Sequence, residues 1–317
     1  MHVIVGAGTV GRATAVRLAE EGQPVRLISR RGLGPDHPGI ETRAANASDA
    51  SALTRLCTEA SVLYNCANPS SYARWASQWP PMAAAMLHAA MSSGAVLVTV
   101  SNLYGYGPVR RPMTENAPLA ATGKKGALRA TMWNDALEAH RAGRVRVTEA
   151  RASDYFGPGF TDMGHMGSRV VPRVLAGQKI RTIGDVDVIH TWTYVEDVAR
   201  ALVVLGRDER AWGRAWHVPS GPARTQRQMV GALADAAGVP APPVVSIPPW
   251  LLRAVGTVVP TVGELEEVRY QFDRPFVMDS SDFSATFGLA ATPLDEAARD
   301  TVRWWRSRTE TGVTVAG

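Results

Sequence analysis

The chain has 317 residues, 45% of them hydrophobic, and a formal charge of +5, which is enough apolar content to bury a sizeable core in one large α/β unit or two modest domains. Its basic residues stand singly or in pairs, nearly all as arginine, with lysine only at Lys124, Lys125 and Lys179, so the pattern does not favour nucleic-acid binding. Cys57 and Cys66 provide neither a disulfide framework nor zinc-like spacing, and no metal site is expected.

In chain order, short apolar runs alternate with amphipathic stretches. HVIV (2–5), VRLI (25–28), SVLYN (61–65), AVLVTV (95–100) and VRVTEA (145–150) read as strands, and the segments 9–22, 81–93 and 125–142 have helical spacing between them. This is the pattern of parallel βαβ units. Beyond the Gly-Pro-Gly of 157–159 the alternation loosens, through TWTYVEDVARALVVLG and the proline-rich linker 239–249, to a loose tail at 309–317. The expected division is a core at 1–158, to which the segment 183–218 returns, and a mainly substrate-binding region at 159–317. The chain opens directly on a strand, with no signal segment, and no long apolar run follows, so the expectation is a soluble, cytoplasmic protein without a membrane partner.

Gly6, Gly8 and Gly11 form a GxGxxG motif directly after the first strand and at the start of a helix. Such glycines permit a tight turn, close approach of a pyrophosphate to the backbone, and close packing of helix on strand. Free N–H groups at the helix start, over Thr9 and Val10, face the phosphates. At the end of the second strand an NAD site usually carries an acidic residue for the ribose 2′-hydroxyl, whereas here Ser29, Arg30 and Arg31 stand. A guanidinium binds a 2′-phosphate that a carboxylate would repel, so NADP(H) is the expected cofactor.

Together with GAGTVG, the motifs NCANP (65–69), SNLYGYGP (101–108), RASDYFGPG (151–159) and TWTYVEDVARAL (191–202) resemble the extended or atypical short-chain dehydrogenase/reductases, which include the NAD-dependent epimerase/dehydratase group. The resemblance covers nearly the whole chain. It implies an α/β fold of Rossmann type, a doubly wound parallel sheet with a smaller C-terminal substrate domain. It also implies that Asn46 and Ala47 lie near the adenine, that Cys66, Ala67 and Asn68 line the cofactor, and that Ser153 approaches the nicotinamide. That family works with a Ser/Thr, a Tyr and a Lys, the last two spaced YxxxK on one helix face. The matching helix here, ATGKKGALRATMW, has no tyrosine; with Arg129 in the lysine frame, Lys125 occupies the tyrosine frame. Val100 occupies the Ser/Thr frame, with Ser101 one residue later.

Hydride transfer needs positioning and a group that stabilises the developing alkoxide. The leading expectation is an NADPH-dependent ketoreductase for a small molecule, with an aromatic polyketide-type ketone among the candidates, Arg129 on the nicotinamide ribose and Ser101 or Lys125 polarising the carbonyl. Tyr104, Asp154, Tyr155 and Trp192 are candidates to face the substrate, with Trp75 and Trp79 as further candidate aromatic walls; ordinary core packing is the alternative for all three tryptophans, above all for Trp192. His165 and His190 stand alone in the sequence and read as surface or satisfied core histidines. Two alternatives stand beside this: an epimerase or isomerase of the sugar-nucleotide type that keeps its nicotinamide bound, and a non-catalytic NADP(H) sensor. The resemblance also makes a homodimer possible.

Overall fold

The computed structural model describes residues 1–161, 164–256, 259 and 263–310, without the side chains of the last two. A seven-stranded sheet forms its centre: β1 (His2–Val5), β2 (Val25–Ser29), β3 (Ile40–Ala44), β4 (Val62–Asn65), β5 (Val96–Ser101), β6 (Arg146–Arg151) and β10 (Ala215–His217). The spatial order is β10-β6-β5-β4-β1-β2-β3, and every neighbouring pair is parallel. The order reverses between β1 and β4. In an open parallel sheet that reversal leaves a crevice beyond the strand C-termini, where dinucleotides bind.

Helices cover both faces. Along β5, Val96 and Val98 pack toward α1 (Thr9–Glu20) and α6 (Val195–Arg207), while Leu97 packs toward α3 (Trp75–Ser93) and α4 (Lys124–Arg141). Because both faces are buried, β1, β4 and β5 read as continuous apolar runs rather than alternating ones. The edge strand β3, IETRA, is half exposed and carries no such signal. α2 (Ala50–Leu56) also lies on the α3 face.

The remaining strands form two-stranded pairs: β7 (Asp154–Phe156) with β9 (Trp192–Tyr194), and β8 (Ile180–Thr182) with β11 (Val244–Ser246). A separate apolar cluster gathers α5 (Val171–Leu175), α7 (Gln226–Ala237) and α11 (Leu294–Glu310) around Ile180, Trp192 and Trp305. Among the shorter helices are α8 (Pro249–Gly256), α9 (Tyr270–Asp273) and α10 (Ser281–Phe287).

Three sequence expectations need correction. α3 begins at Trp75 rather than at 81 and contains Pro80 and Pro81; the buried Trp75 and Trp79, one helical turn apart, hold the first turns on the core despite the missing N–H donors. The proline-rich linker contains β11, which pairs with β8. The tail begins later than 309, since α11 runs to Glu310; residues 311–317 lie outside the described residues. No helix among the described residues is long and apolar enough to cross a membrane.

Candidate active site

The glycine loop follows β1 into the crevice. Gly6 has φ +110, and a Cβ there would stand 2.5 Å from the Cys66 carbonyl oxygen, while a Cβ on Gly11 would overlap the Gly6 carbonyl. Both positions therefore require glycine for packing alone. Gly8 differs: it caps α1 with extended backbone and no side-chain bond, and among the described residues a Cβ there meets nothing within 4 Å. The open space before the N–H groups of α1 is a cradle for a pyrophosphate.

Around this cradle, the Thr9 hydroxyl donates to the Gly159 carbonyl at 2.7 Å, joining α1 to the Gly-Pro-Gly turn. Val10 is buried against the core and Cys66 packs beside it; burial pushes the Cys66 thiol up to about 12. Ala67 is half-buried and Asn68 exposed. At the far end, Ser29 is tied to the following turn, its Oγ accepting from Leu33 N at 3.0 Å. Arg30 and Arg31 are exposed and make no ion pair with another described residue. Asn46 is exposed and accepts from Ser48 N at 3.1 Å, with Ala47 half-buried next to it.

At the other end of the crevice stands Arg129, 8% exposed. Its guanidinium lies over Trp79 and Trp75, 4.5 and 5.5 Å from the ring centroids, and Nη2 donates to the Val100 carbonyl at 3.3 Å. Burial lowers its pKa, with the charge of Glu149 the largest opposing influence. Nε and Nη1 are buried without a partner among the described residues, two donors that ribose hydroxyls would satisfy. These donors and the cradle at Gly8 fit a nicotinamide dinucleotide. Trp75 and Trp79 thus act as the bed of Arg129 within the core.

Next to Arg129 the chain gathers phenols. The Tyr72 and Tyr104 hydroxyls are 2.6 Å apart, and Tyr104 stacks on Trp75 with centroids 5.9 Å apart. The Tyr155 hydroxyl donates to the Ser101 carbonyl at 3.5 Å. Burial pushes Tyr72 up to about 12 and raises Tyr104 and Tyr155 too; a nearby negative charge on Asp154 contributes to all three shifts. Ser101 is buried at the end of β5. It alternates with Val100, which packs toward the α1 and α6 side.

Asp154 Oδ2 stands 2.9 Å from His190 Nε2, and Ser153 Oγ lies 3.3 Å from the same nitrogen. Burial works against ionisation of Asp154, but the His190 bond and the charges of His190 and His165 outweigh it and hold the carboxyl below its usual range. His190 is thus a buried, hydrogen-bonded histidine, and His165 is half-buried with its Nε2 2.8 Å from Gln226 Oε1 and 2.6 Å from Thr182 Oγ1.

Two candidates sit differently from expectation. Lys125 Nζ donates to Glu264 at 2.6 Å and Glu267 at 2.9 Å, and its backbone N–H donates to Glu267 at 2.7 Å. The ammonium is thus committed to tying the start of α4 to 264–267, rather than free to polarise a carbonyl. Trp192 is 4% exposed, with its indole N–H on the Arg224 carbonyl at 2.9 Å; it is a core residue behind His190 and not a pocket wall. Tyr72, His190 and the two glutamates were not singled out from the sequence as site residues, because their partners are remote along the chain.

A model of the NAD dependent epimerase/dehydratase family matches residues 2–218. No curated protein sequence matches the chain. Among solved structures, dTDP-glucose 4,6-dehydratase from Bacillus anthracis, in complex with NAD, superposes with TM-score 0.79 at 19% identity, over 98% of each chain. UDP-glucose 4-epimerase from Thermotoga maritima, with UDP-glucose, gives 0.79 at 19% identity over 98% of this chain and 100% of its own. A dTDP-glucose 4,6-dehydratase from Streptomyces venezuelae, with NAD bound, gives 0.76 at 20% over 98% of both. At such identities the likeness is one of fold. The family match spans more than half of the chain and includes the whole glycine cradle, and on that ground this chain belongs to the NAD-dependent epimerase/dehydratase family.

Proposed function

We propose that the chain is a nicotinamide-dependent redox enzyme of the epimerase or dehydratase type, acting at a carbinol or carbonyl carbon of a small molecule, with NADP(H) as its dinucleotide. The observation that carries this reading is Arg129, a buried guanidinium with two unpartnered donors at the nicotinamide end of the crevice. A bound nicotinamide supplies and takes back the hydride. Gly6, Gly8 and Gly11 admit the pyrophosphate, Arg129 holds the ribose in place of the family's lysine, and Arg30 with Arg31 binds the 2′-phosphate. The substrate lies among Tyr72, Tyr104, Asp154 and Tyr155, in the region where the chain after residue 158 folds against the core.

One-way ketone reduction, the reading favoured by sequence, shares the same hydride step. Arg30 and Arg31 favour it, since a 2′-phosphate marks the pool that drives reductions. The relatives' structures, which include an epimerase and dehydratases, favour a hydride that is returned within one cycle. Purified protein is assayed for dinucleotide carried through purification, then titrated with NADPH and NADH and challenged with aliphatic and aromatic ketones. Retained dinucleotide with no net oxidation supports the epimerase or dehydratase cycle, and net NADPH oxidation supports the reductase. Absence of binding to either dinucleotide sinks both.

A further inference from the structure

Two fully buried histidines differ in what surrounds their ring nitrogens. His217 Nδ1 lies 2.7 Å from the Asp279 carbonyl oxygen and Nε2 lies 2.7 Å from the Tyr106 hydroxyl. A carbonyl only accepts and a phenol can donate, so a neutral imidazole satisfies both sides. His190 has only a weaker option, the Ser153 hydroxyl 3.3 Å from Nε2. Its Nδ1 lies 3.1 Å from the Gln271 carbonyl oxygen and its Nε2 lies 2.9 Å from the Asp154 carboxylate. Both strong partners are acceptors, so each neutral tautomer would set a lone pair against an oxygen. With the Asp154 carboxyl held below its usual range, the ring carries protons on both nitrogens, one on Nε2 facing Oδ2 and one that Nδ1 gives to the Gln271 carbonyl.

We propose that this His190–Asp154 pair is the acid of the active site, delivering the proton that the absent YxxxK tyrosine would deliver. The surroundings fit. His190 packs between Phe272, Phe276 and Trp192, which keep water from its ring. The polar or charged groups facing the pair are Ser153, His165 and the phenols Tyr72, Tyr104 and Tyr155. No arginine or lysine among the described residues pairs with Asp154, so the proton is not displaced by a fixed cation. Asp154 Oδ1 has no partner among the described residues and is the atom left for the substrate.

The step balances. As hydride reaches the carbonyl carbon, the C=O electron pair moves to oxygen; the shared proton passes from Nε2 to Asp154 Oδ2 as the Nε2–H bond breaks, the carboxyl turns about Cβ–Cγ to present that O–H on the side left open by Oδ1, and the carboxyl O–H bond breaks as an O–H bond forms on the product. The pair, now a neutral imidazole beside a carboxylate with one net negative charge, then regains a proton from solvent. In the oxidative direction each transfer reverses.

This inference rests on the proposed function, but its first test does not need the cofactor. Full-length protein labelled with 15N-histidine is observed by long-range 1H–15N NMR at about pH 7, with His190 assigned through His190→Gln. Two protonated nitrogens on His190, reverting to a single-protonated ring in Asp154→Asn while His217 stays neutral, are expected. A neutral His190 whose tautomer ignores Asp154→Asn overturns the pair. Turnover with NADPH and the ketone panel gives the second test. Asp154→Asn and His190→Gln are expected to lower kcat at least roughly tenfold, with dinucleotide affinity unchanged. Wild-type kcat in both variants overturns the catalytic role, whereas loss of dinucleotide binding by the unmutated protein overturns the functional reading and leaves the NMR result to decide the pair.

Discussion

The Arg129 guanidinium rests over the Trp79 indole, 4.5 Å from the ring centroid, with Nε and Nη1 unpartnered among the described residues. A hydrogen bond involving a charged group contributes ~1.5–3 kcal/mol. Arg129→Met is therefore expected to weaken dinucleotide binding by roughly ten- to a hundredfold, measured by fluorescence titration with NADPH. Arg129→Lys keeps the charge without the fork and should recover only part of the loss. Wild-type affinity in both variants would remove Arg129 from the ribose.

Arg30 and Arg31 are exposed and free of ion pairs with described residues, so their removal should leave the melting temperature nearly unchanged. The expected effect of Arg30→Ala with Arg31→Ala is a loss of roughly tenfold or more in NADPH affinity and almost none in NADH affinity. Equal losses for both dinucleotides would disprove 2′-phosphate recognition.

The glycines of the cradle separate folding from binding. A Cβ on Gly8 meets no atom within 4 Å, so Gly8→Ala should fold with an unchanged melting temperature but bind dinucleotide at least roughly tenfold more weakly, because the methyl fills the pyrophosphate site. Gly11→Ala sets its methyl on the Gly6 carbonyl and is expected to be strongly destabilised. Calorimetry beside titration distinguishes the two.

His217 supplies a pH dependence. Burial lowers its pKa from 6.5 to about 4, the Arg151 charge acting in the same direction and the Asp279 carbonyl bond opposing. The folded state thus resists a proton that the unfolded state accepts. Its contribution is intact above about pH 6.5, falls as the pH drops from there to about 4, and levels off below, a loss of roughly 3 kcal/mol. His2, also lowered to about 4 mainly by burial, adds a slope of the same sign. Urea unfolding across this range should show stability falling with acid, and His217→Gln should flatten the slope whatever it does to the absolute stability. An unchanged slope would show that His217 does not titrate differently on unfolding.

The central strands were legible because a strand buried on both faces is a short apolar run, as in VLYN and VLVTVS. The glycine cradle was legible because its demands are on backbone geometry within six residues. The edge strand IETRA was not, since half of its side chains meet solvent and no hydrophobic rhythm survives. The charged parts of the site were hidden for another reason. Asp154 and His190 are 36 residues apart, and Lys125 lies 139 and 142 residues from its two glutamates. Only the fold makes them neighbours, and no local pattern marks such pairs.

The last strand to enter the central sheet, β10, pairs with β6 alone, and Thr148 bonds the carbonyl of Arg214 across 66 residues of chain. On the ribosome the β6 edge therefore stays unpaired until His217 has emerged from the exit tunnel. A nascent chain paused within that interval presents an open strand edge to other nascent chains and to holdase chaperones. Parallel pairing over such a loop is slow to form, so this edge is open to mispairing while residues 152–217 are being made.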